Sequence, residues 1–260
     1  MYGEFSYIYD KLSFDIEYEK YAENIKKLSR EYKIGKENIL ELACGSGMLT
    51  QYFFDDFDRI DALDISTDML NCFAEKFDNN KVNLIYYDMV EYEKKDFYDL
   101  IVILLDSVNY VTNPSDLEKL FRNSYDNLKN DSLLVFDINS EYKMEEVFGS
   151  KSYVYEYEDI FYTWDNIKDG DIIDMELNFF VENEDGTYQR IIENQVERIY
   201  SVDFMKKILK ENNFSEIEIF DEDTMQEIKD DTLRILFKAK KEWIWKEKLN
   251  FLITKKDMVL

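Results

Sequence analysis

Hydrophobic positions follow two periods that alternate along the first 140 residues. Short continuous apolar runs are typical of strands that are buried on both faces, and apolar residues recurring every three or four positions are typical of amphipathic helices. Their alternation predicts a parallel sheet covered by helices on both sides. The predicted strands are 38–43, 59–64, 82–87, 99–105 and 132–137, and the predicted helices are 18–28, 48–54, 69–77 and 114–128.

The pattern changes after residue 150, where long strand-like runs extend from 152 to 200. Two Asp-Gly pairs, at 169–170 and 185–186, interrupt these runs. Because Asp-Gly between strands favours a tight hairpin turn, this segment predicts three antiparallel strands. The chain then returns to the main sheet through a helix at 201–212 and two further strands at 216–220 and 232–238.

Composition and charge exclude several classes of function. With 32 basic and 57 acidic residues, the net charge is -25, so the surface as a whole repels phosphate backbones and a nucleic-acid partner is disfavoured. The chain has no histidine, which excludes histidine zinc sites, Ser-His-Asp triads and a histidine base, and no metal site is predicted. Neither a signal peptide nor a membrane span is recognisable, which predicts a cytoplasmic protein.

A glycine-containing loop, Glu41-Leu-Ala-Cys-Gly45-Ser-Gly47, follows the first predicted strand. In open α/β sheets the ligand crevice lies at the carboxyl ends of the strands, and glycines there let a ligand approach the backbone. Asp64 ends the second strand, where a carboxylate can accept hydrogen bonds from both ribose hydroxyls. Asp88 and Met89 follow the third strand, where they can contact the amine and ring of an adenine.

The same residues indicate which nucleoside binds. A dinucleotide-binding loop would carry a third glycine at position 50, which is a threonine here. Glu41 would repel a pyrophosphate but attracts a cation. S-adenosylmethionine carries an ammonium and a sulfonium and no phosphate. The acidic crevice formed by Glu41, Asp64, Asp88 and Asp106 therefore fits S-adenosylmethionine better than a nicotinamide dinucleotide.

Residues 38–140 resemble the class I S-adenosylmethionine-dependent methyltransferases in the glycine loop, Asp64, Asp88-Met89 and the strand that ends at Asp106 before Ser107-Val-Asn-Tyr110. The N-terminus, with Tyr2, Phe5, Ser6, Tyr9, Asp10 and Tyr18, is similar to the opening of bacterial small-molecule methyltransferases. That subgroup includes amino-sugar N,N-dimethyltransferases, which also carry an antiparallel insertion after the fifth strand. Two features depart from it: the turn at 129–132 lacks glycine, and Tyr110 occupies a position where some sugar enzymes have histidine.

The resemblance implies a Rossmann-like, seven-stranded, doubly wound α/β sheet with an inserted antiparallel β hairpin subdomain and an N-terminal helical cap. We expect the cap at 1–36, the cofactor-binding domain at 37–150 and 201–240, the inserted subdomain at 151–200 and a C-terminal extension at 241–260. The cap would bring Tyr2, Tyr9 and Tyr18 near the methionine part of the cofactor. The glycines Gly45 and Gly47 would pack against that part.

The expected cofactor-binding residues lie in the cap and in the loops after the first four strands. They are Tyr2, Tyr9, Tyr18, Glu41, Ala43, Gly45, Gly47, Asp64, Ile65, Met69, Asp88, Met89, Asp106 and Ser107. The candidate catalytic residues are Tyr110, Asp106 and Tyr9. Whether any side chain acts as a general base stays open, with bulk water as the alternative.

The expected function is direct, in-line transfer of the cofactor's methyl group to an amine or hydroxyl of a small molecule. An RNA-modifying methyltransferase and a non-catalytic S-adenosylmethionine-binding protein remain alternatives, as does a homodimer. The aromatic residues of 152–200 predict an acceptor pocket, a dimer face or simply one packed side of a sheet. The basic, tryptophan-containing tail at 238–256 can lie on a membrane or, as this acidic chain favours, pack on an acidic body.

Overall fold

The computed structural model of the chain describes residues 3–14, 16–183 and 185–242, so most of the basic tail lies outside the described residues. The strands are β1 (Asn38–Leu42), β2 (Arg59–Asp64), β3 (Val82–Tyr86), β4 (Tyr98–Ile103), β5 (Leu128–Asn139), β6 (Ser152–Tyr157), β7 (Ile160–Asp169), β8 (Ile172–Glu182), β9 (Tyr188–Arg198), β10 (Ser215–Asp221) and β11 (Arg234–Lys241). The α-helices are α1 (Gly3–Leu12), α2 (Tyr18–Glu31), α3 (Thr67–Lys76), α4 (Pro114–Asn127) and α5 (Val202–Glu211). Short 3-10 helices at Thr50–Phe53 and Ser107–Tyr110 and a π-helical segment at Lys143–Phe148 connect them.

The main sheet has seven strands in the order β10-β11-β5-β4-β1-β2-β3, which confirms the predicted α/β fold. Strands β1 to β5 are parallel to one another, whereas β11 is antiparallel to both β5 and β10. The chain winds outward from β1 through β2 and β3, then returns to the other side of β1 with β4. The winding direction therefore reverses between β1 and β4, the point where ligands bind in open α/β sheets.

The register of the sheet brings the candidate loops to one level. Leu42 of β1 lies opposite Leu63 of β2 and Ile103 of β4, and Phe136 of β5 lies opposite Ile103. Each of these residues stands at or near the carboxyl end of its strand. The loops after β1, β2 and β4 consequently meet at a single edge of the sheet.

Both faces of the main sheet are covered by apolar packing, as the continuous apolar strands predict. Ile25 and Leu28 of α2 pack against one face, and Leu117 and Phe121 of α4 pack against the other. Two predicted helix starts are confirmed by their caps. The Ser66 side chain accepts a hydrogen bond from the backbone N–H of Met69, and the Asn113 side chain caps α4, where Pro114 is the first residue.

The second sheet has four antiparallel strands in the order β6-β7-β8-β9, so the prediction of three strands was wrong. The predicted turns are present: Gly170 and Gly186 adopt positive φ angles of 58° and 80°. The missed turn joins β6 to β7 at Glu158-Asp159, where Glu158 has a φ of 52°. A glutamate rarely adopts this conformation, so the sequence carries no hairpin signal there.

One face of the second sheet packs against the first helix. Its inward residues, which alternate along β7 and β8, form an apolar cluster with Ile8 of α1 and with Met144 and Phe148 of the π-helical segment. The inward residues of this cluster are Ile160, Tyr162, Trp164, Ile173, Met175, Leu177 and Phe179. The second sheet is thereby held beside the carboxyl edge of the main sheet.

Two further expectations need correction. The segment Lys129–Ser132, expected as a turn, belongs to β5, whose pairing with β4 is irregular between Leu128 and Leu133 and contains Asp131 at a φ of 62°. The short helix expected at 48–54 is a 3-10 helix at Thr50–Phe53. Within the described ranges, no helix is long and apolar enough to cross a membrane.

Candidate active site

A cavity of about 740 Å³ opens at the carboxyl edge of the main sheet, between this edge, α1 and the second sheet. Its volume lies within the roughly 300–1,000 Å³ of ligand pockets. The cavity is lined by most of the residues that the sequence suggested. These are Tyr9, Tyr18, Glu41, Ala43, Gly45, Asp64, Ile65, Met69, Asp88, Met89, Asp106, Ser107 and Tyr110. Gly47 does not line it, and Tyr2 lies outside the described residues.

The loop after β1 turns sharply through three residues with positive φ: Ala43 at 58°, Gly45 at 54° and Gly47 at 80°. The two glycines serve different purposes. A Cβ on Gly45 would meet no atom within 4 Å, so this position leaves open space beside the cavity. A Cβ on Gly47 would lie 2.5 Å from the ring of Phe73, so this glycine lets α3 pack against the loop.

Asp64 connects the loops that follow β1 and β2. Its Oδ2 accepts a hydrogen bond from the backbone N–H of Gly45, and its Oδ1 accepts one from the backbone N–H of Ser66, both at 2.8 Å. The residue is only 8% exposed, and this burial raises its pKa even though the backbone donors act in the opposite direction. Each oxygen keeps a second lone pair for a ligand hydroxyl.

Glu41 is a buried carboxyl group on β1 that also lines the cavity. It is 3% exposed, and its burial, with a smaller contribution from Asp64, raises its pKa to about 8. Among the described residues, its Oε2 has no hydrogen-bond partner. A buried acceptor without a partner is costly, and a cationic donor in the cavity would satisfy it and favour its ionised form.

The far end of the cavity combines exposed apolar and polar groups. Ile65 is 65% exposed although it is large and apolar, and Met69 and Met89 lie beside it in the lining. The Oδ1 of Asp88 accepts a hydrogen bond from the backbone N–H of Val90 at 2.8 Å, which fixes the carboxylate at the cavity edge. A flat ring with an amine would find apolar surface and an acceptor here.

The turn after β4 carries Asp106, one of the candidate catalytic residues. Its Oδ1 accepts a hydrogen bond from Arg234 of β11, and the same Nη1 donates to Asp137 of β5 at 2.6 Å. Although burial disfavours the charge of Arg234, these two carboxylates raise its pKa, so the guanidinium stays charged. Sequence reasoning missed Arg234 because it lies 128 residues from Asp106 and carries no local motif.

Three tyrosines from the candidate set surround the same region. Burial, followed by Tyr18 and Asp106, raises the pKa of Tyr9. The Tyr110 hydroxyl donates a hydrogen bond to Oε1 of Gln195 at 2.9 Å. Although Tyr110 as a whole is 41% exposed, desolvation of its hydroxyl, followed by the nearby carboxylates Glu197 and Asp106, raises its pKa well above the ordinary value. The phenols of Tyr9 and Tyr110 are therefore protonated near neutral pH.

The wall opposite the glycine loop comes from the second sheet. Tyr162 and Trp164 of β7, Leu177 and Phe179 of β8, and Gln195 of β9 line the cavity. Their alternation places one side of each strand toward the cavity. Sequence reasoning pointed to Tyr162 and Trp164 as part of an acceptor pocket, a dimer face or a packed side. It missed Gln195, whose neighbours in the sequence are mostly polar.

Helix α1 is tied to the glycine loop by polar contacts of Asp10. Its carboxylate accepts hydrogen bonds from the Ser46 hydroxyl and from Lys76 of α3. Because Ser46 lies between the two glycines, this contact fixes α1 over the loop. The residue pair was not predicted, since a serine in such a loop has no characteristic partner in the sequence.

Comparison with known proteins agrees with this geometry. Residues 39–131 match a family described as "Methyltransferase domain". A relative from Geobacillus sp. (strain WCH70), which bears a methyltransferase name, is 31% identical over 245 residues that cover 92% of this chain and 99% of the relative. The chain belongs to the S-adenosylmethionine-dependent methyltransferases.

Solved structures support the assignment of the chain to this family. An S-adenosylmethionine-dependent methyltransferase from Clostridium acetobutylicum ATCC 824 is 31% identical, with a TM-score of 0.86 over 93% of this chain and 99% of that one. The sugar N-methyltransferase KedS8 from Streptoalloteichus sp. ATCC 53650 shares the fold at 17% identity, with a TM-score of 0.76 over 91% and 93% of the two chains. The methyltransferase is thus an enzyme of class I, and its cofactor is S-adenosylmethionine.

Proposed function

We propose that the methyltransferase transfers the methyl group of S-adenosylmethionine directly to an amine of a small molecule. The observation that carries this proposal is the single cavity with two unlike ends: acidic loops of the main sheet at one end and an aromatic wall from the second sheet at the other. A small acceptor enclosed beside the cofactor needs only to be aligned with the methyl group, which accounts for much of the catalysis.

The cofactor fits the loops of the main sheet. We propose that Glu41, whose Oε2 has no partner among the described residues, binds the ammonium group, and that Asp64 binds the ribose. Asp88, Met89 and Ile65 would bind the adenine. Ile65 and Met89 would pack against the face of the ring, and the Asp88 carboxylate would accept a hydrogen bond from the amine at its edge. When bound, S-adenosylmethionine supplies an electrophilic methyl group on a positively charged sulfur.

The acceptor would bind against the second sheet. The rings of Trp164 and Phe179 and the Tyr110–Gln195 hydrogen bond form a wall that is mainly apolar but offers uncharged polar groups. Such walls bind the body of a small molecule and exclude water from the reacting atoms. Tyrosine faces also attract cationic groups, so a protonated amine can approach this wall.

The protonation states of the cavity favour an amine over a hydroxyl. An alcohol must lose a proton to become a good nucleophile, and this requires a base close to the acceptor. Tyr9 and Tyr110 have raised pKa values and stay protonated, while Asp106 is engaged by Arg234. An amine that arrives protonated loses one proton to water, its lone pair then attacks the methyl carbon, and the bond from that carbon to sulfur breaks with its electrons on S-adenosylhomocysteine. Because an ammonium loses its proton to water far more readily than an alcohol does, the amine needs none of these groups as a base.

Charge also separates classes of acceptor. Among the described residues, five carboxyl groups line the cavity, those of Glu41, Asp64, Asp88, Asp106 and Asp116, against one guanidinium, that of Arg234. This lining attracts cations and repels phosphate. RNA is therefore the weaker candidate acceptor. The sugar N-methyltransferase that shares the fold acts, as its name states, on nitrogen, which supports the proposal.

The test is a methylation assay with matched acceptors. Primary and secondary amines would be compared with alcohols of the same carbon skeleton and with unmodified transfer RNA, and reactions without the protein would give the background. We expect amines to gain one methyl group, detected by mass spectrometry, with an equal amount of S-adenosylhomocysteine. Methylation of alcohols alone would refute the choice of amine, and methylation of RNA alone would refute the small acceptor. Turnover equal to the background on every acceptor would refute the proposed amine acceptor.

A further inference from the structure

The turn that follows β4 has a strained backbone. Leu105 and Asp106 both adopt a φ of 56°, and neither is glycine. Side chains clash with the backbone in this left-handed region, so two such residues in succession persist only where surrounding contacts hold them. Both residues line the cavity, as does Ser107 after them. A strained segment at this point calls for an identifiable restraint.

Buried ionic contacts supply that restraint. The backbone N–H of Asp106 points at the carboxylate of Asp137, at 3.3 Å and 3.4 Å from its two oxygens. The side chain of Asp106 accepts a hydrogen bond from Nη1 of Arg234, and the same nitrogen donates to Asp137. The Asp137 side chain is fully buried and that of Arg234 is 19% exposed. The three residues close a ring of contacts around the turn.

Hydrogen bonds connect the turn to the wall of the cavity that the second sheet forms. The backbone carbonyl of Asp106 accepts a hydrogen bond from the N–H of Asn109 at 2.8 Å, which forms the 3-10 helix that ends at Tyr110. Asn109 is buried and donates to the carbonyl of Arg198 on β9 at 2.9 Å. Moving the turn would therefore move Tyr110, which faces Gln195 across the cavity wall.

We propose that Arg234 is a positioning residue that holds the Leu105–Asp106 turn in its left-handed form and thereby aims Asp106 and Tyr110 into the cavity. Its role in methyl transfer rests on the proposed function, whereas its role in holding the turn does not. Without the guanidinium, Asp106 and Asp137 would face each other as like charges in a buried site. Removing one partner from a buried ion pair is strongly unfavourable, so the turn would open.

Hydrogen–deuterium exchange of the ligand-free protein tests the restraint. Arg234→Met should accelerate exchange of the amides at 106–109 by on the order of a hundredfold, while amides in the middle of β1 and β4 keep their wild-type rates. Arg234→Lys should exchange at an intermediate rate, because an ammonium can still bridge two carboxylates. Lys240→Met, which removes a cation from the same strand where it pairs with exposed Glu216, is the matched control and should match the wild type.

Unchanged exchange at 106–109 in Arg234→Met would overturn the proposal. Equal acceleration throughout β5 and β11 would also overturn it, because it would indicate a general structural role. If Arg234→Met does not fold, Arg234→Gln decides, because it removes the charge and keeps a hydrogen-bond donor: local acceleration supports the restraint, and wild-type exchange refutes it. Arg234→Met/Asp137→Asn should recover slower exchange than Arg234→Met, because it removes one of the facing charges and keeps an acceptor for the Asp106 N–H.

A second measurement links the turn to the reaction. With the acceptor found by the methylation assay, Arg234→Lys should lower kcat by about tenfold or more and leave the affinity for S-adenosylhomocysteine within about threefold of wild type. A loss confined to cofactor affinity would refute positioning of the acceptor side. If no acceptor is found, the exchange experiment still decides whether Arg234 holds the turn, so failure of the two proposals can be distinguished.

Discussion

Asp64→Asn removes the negative charge from the residue that connects the two cofactor loops, with almost no change in size. In the wild type, each carboxylate oxygen accepts one backbone N–H, from Gly45 and from Ser66, at 2.8 Å. An asparagine offers one oxygen and one NH₂ group at the same place. One backbone donor must then face another donor, and the site loses the charge that strengthens its hydrogen bonds to ribose.

The size of the effect follows from these contacts. A hydrogen bond to a charged group contributes about 1.5–3 kcal/mol, and an 8% exposed carboxylate is little screened by solvent. Weakening the hydrogen bonds to the two ribose hydroxyls should cost about 2–4 kcal/mol of binding free energy, which is roughly a 30-fold to 1,000-fold loss of affinity. The lost loop contact is present with and without ligand, so it lowers the stability of the fold instead. Asp64→Ala should lose more, because both backbone donors are left without their acceptor.

Isothermal titration calorimetry with S-adenosylmethionine and S-adenosylhomocysteine measures this loss. Asp58→Asn is the matched control, since Asp58 is exposed just before the opposite end of β2 and its replacement should leave the affinity unchanged. Thermal denaturation would verify that the variants are folded at the temperature of the titration. Wild-type affinity in folded Asp64→Asn would refute the assignment of the ribose to Asp64. It would also refute the proposed placement of the ammonium group, the ribose and the adenine at the successive loops after β1, β2 and β3.

Four further predictions concern single substitutions. Burial raises the pKa of Glu41 to about 8, so the ligand-free protein loses stability as the pH rises from about 4.5 to 8. Glu41→Gln should therefore have a higher melting temperature than wild type at pH 8, and the difference should vanish near pH 4.5. A difference that does not change with pH would contradict this prediction. Gly47→Ala should lower the free energy of unfolding by about 2–4 kcal/mol in urea titrations, because its Cβ would overlap Phe73 at positive φ. Gly45→Ala should lower the free energy of unfolding by only about 1–2 kcal/mol but should weaken cofactor binding more than Gly47→Ala does. A larger loss of stability in Gly45→Ala than in Gly47→Ala would contradict the roles given to the two glycines. Tyr110→Phe should keep kcat within about threefold of wild type, because a phenol with a raised pKa stays protonated and cannot act as a base. A hundredfold loss of kcat would instead indicate that the Tyr110 hydroxyl takes part in the reaction.

The cofactor side of the cavity was largely predictable because its signals are local. Strand periodicity located the ends of β1, β2 and β3, and acidic or glycine residues at those ends fall on one edge once the strands are parallel. Gly47 shows the limit of this reasoning. Its place in the loop was correct, but only the packing of Phe73 reveals that it makes room for α3 and does not line the cavity.

The acceptor side was less predictable because its contacts join distant parts of the chain. Arg234 meets Asp106 only because β11 lies beside β5, which periodicity cannot reveal. The fourth strand of the second sheet was missed because Glu158 turns with a positive φ against its own preference. Tertiary packing overrides local preference at both places, so no window of sequence contains the information.

The separation of the two halves has a consequence for specificity. In the proposed function, the cofactor is bound by loops of the main sheet, where backbone geometry and buried carboxylates fix the positions of the binding groups. The opposite wall comes from side chains of the second sheet, such as Trp164 and Phe179, whose replacement changes the shape of the cavity without disturbing the glycine loop. Among the described residues, the turn at Leu105–Asp106 is connected to β9 through the hydrogen bond from Asn109 to Arg198, and helix α1 contacts the glycine loop through Asp10 and the second sheet through Ile8. In the proposed function, alignment of donor and acceptor therefore depends on these two connections, whereas the choice of acceptor depends on the second sheet.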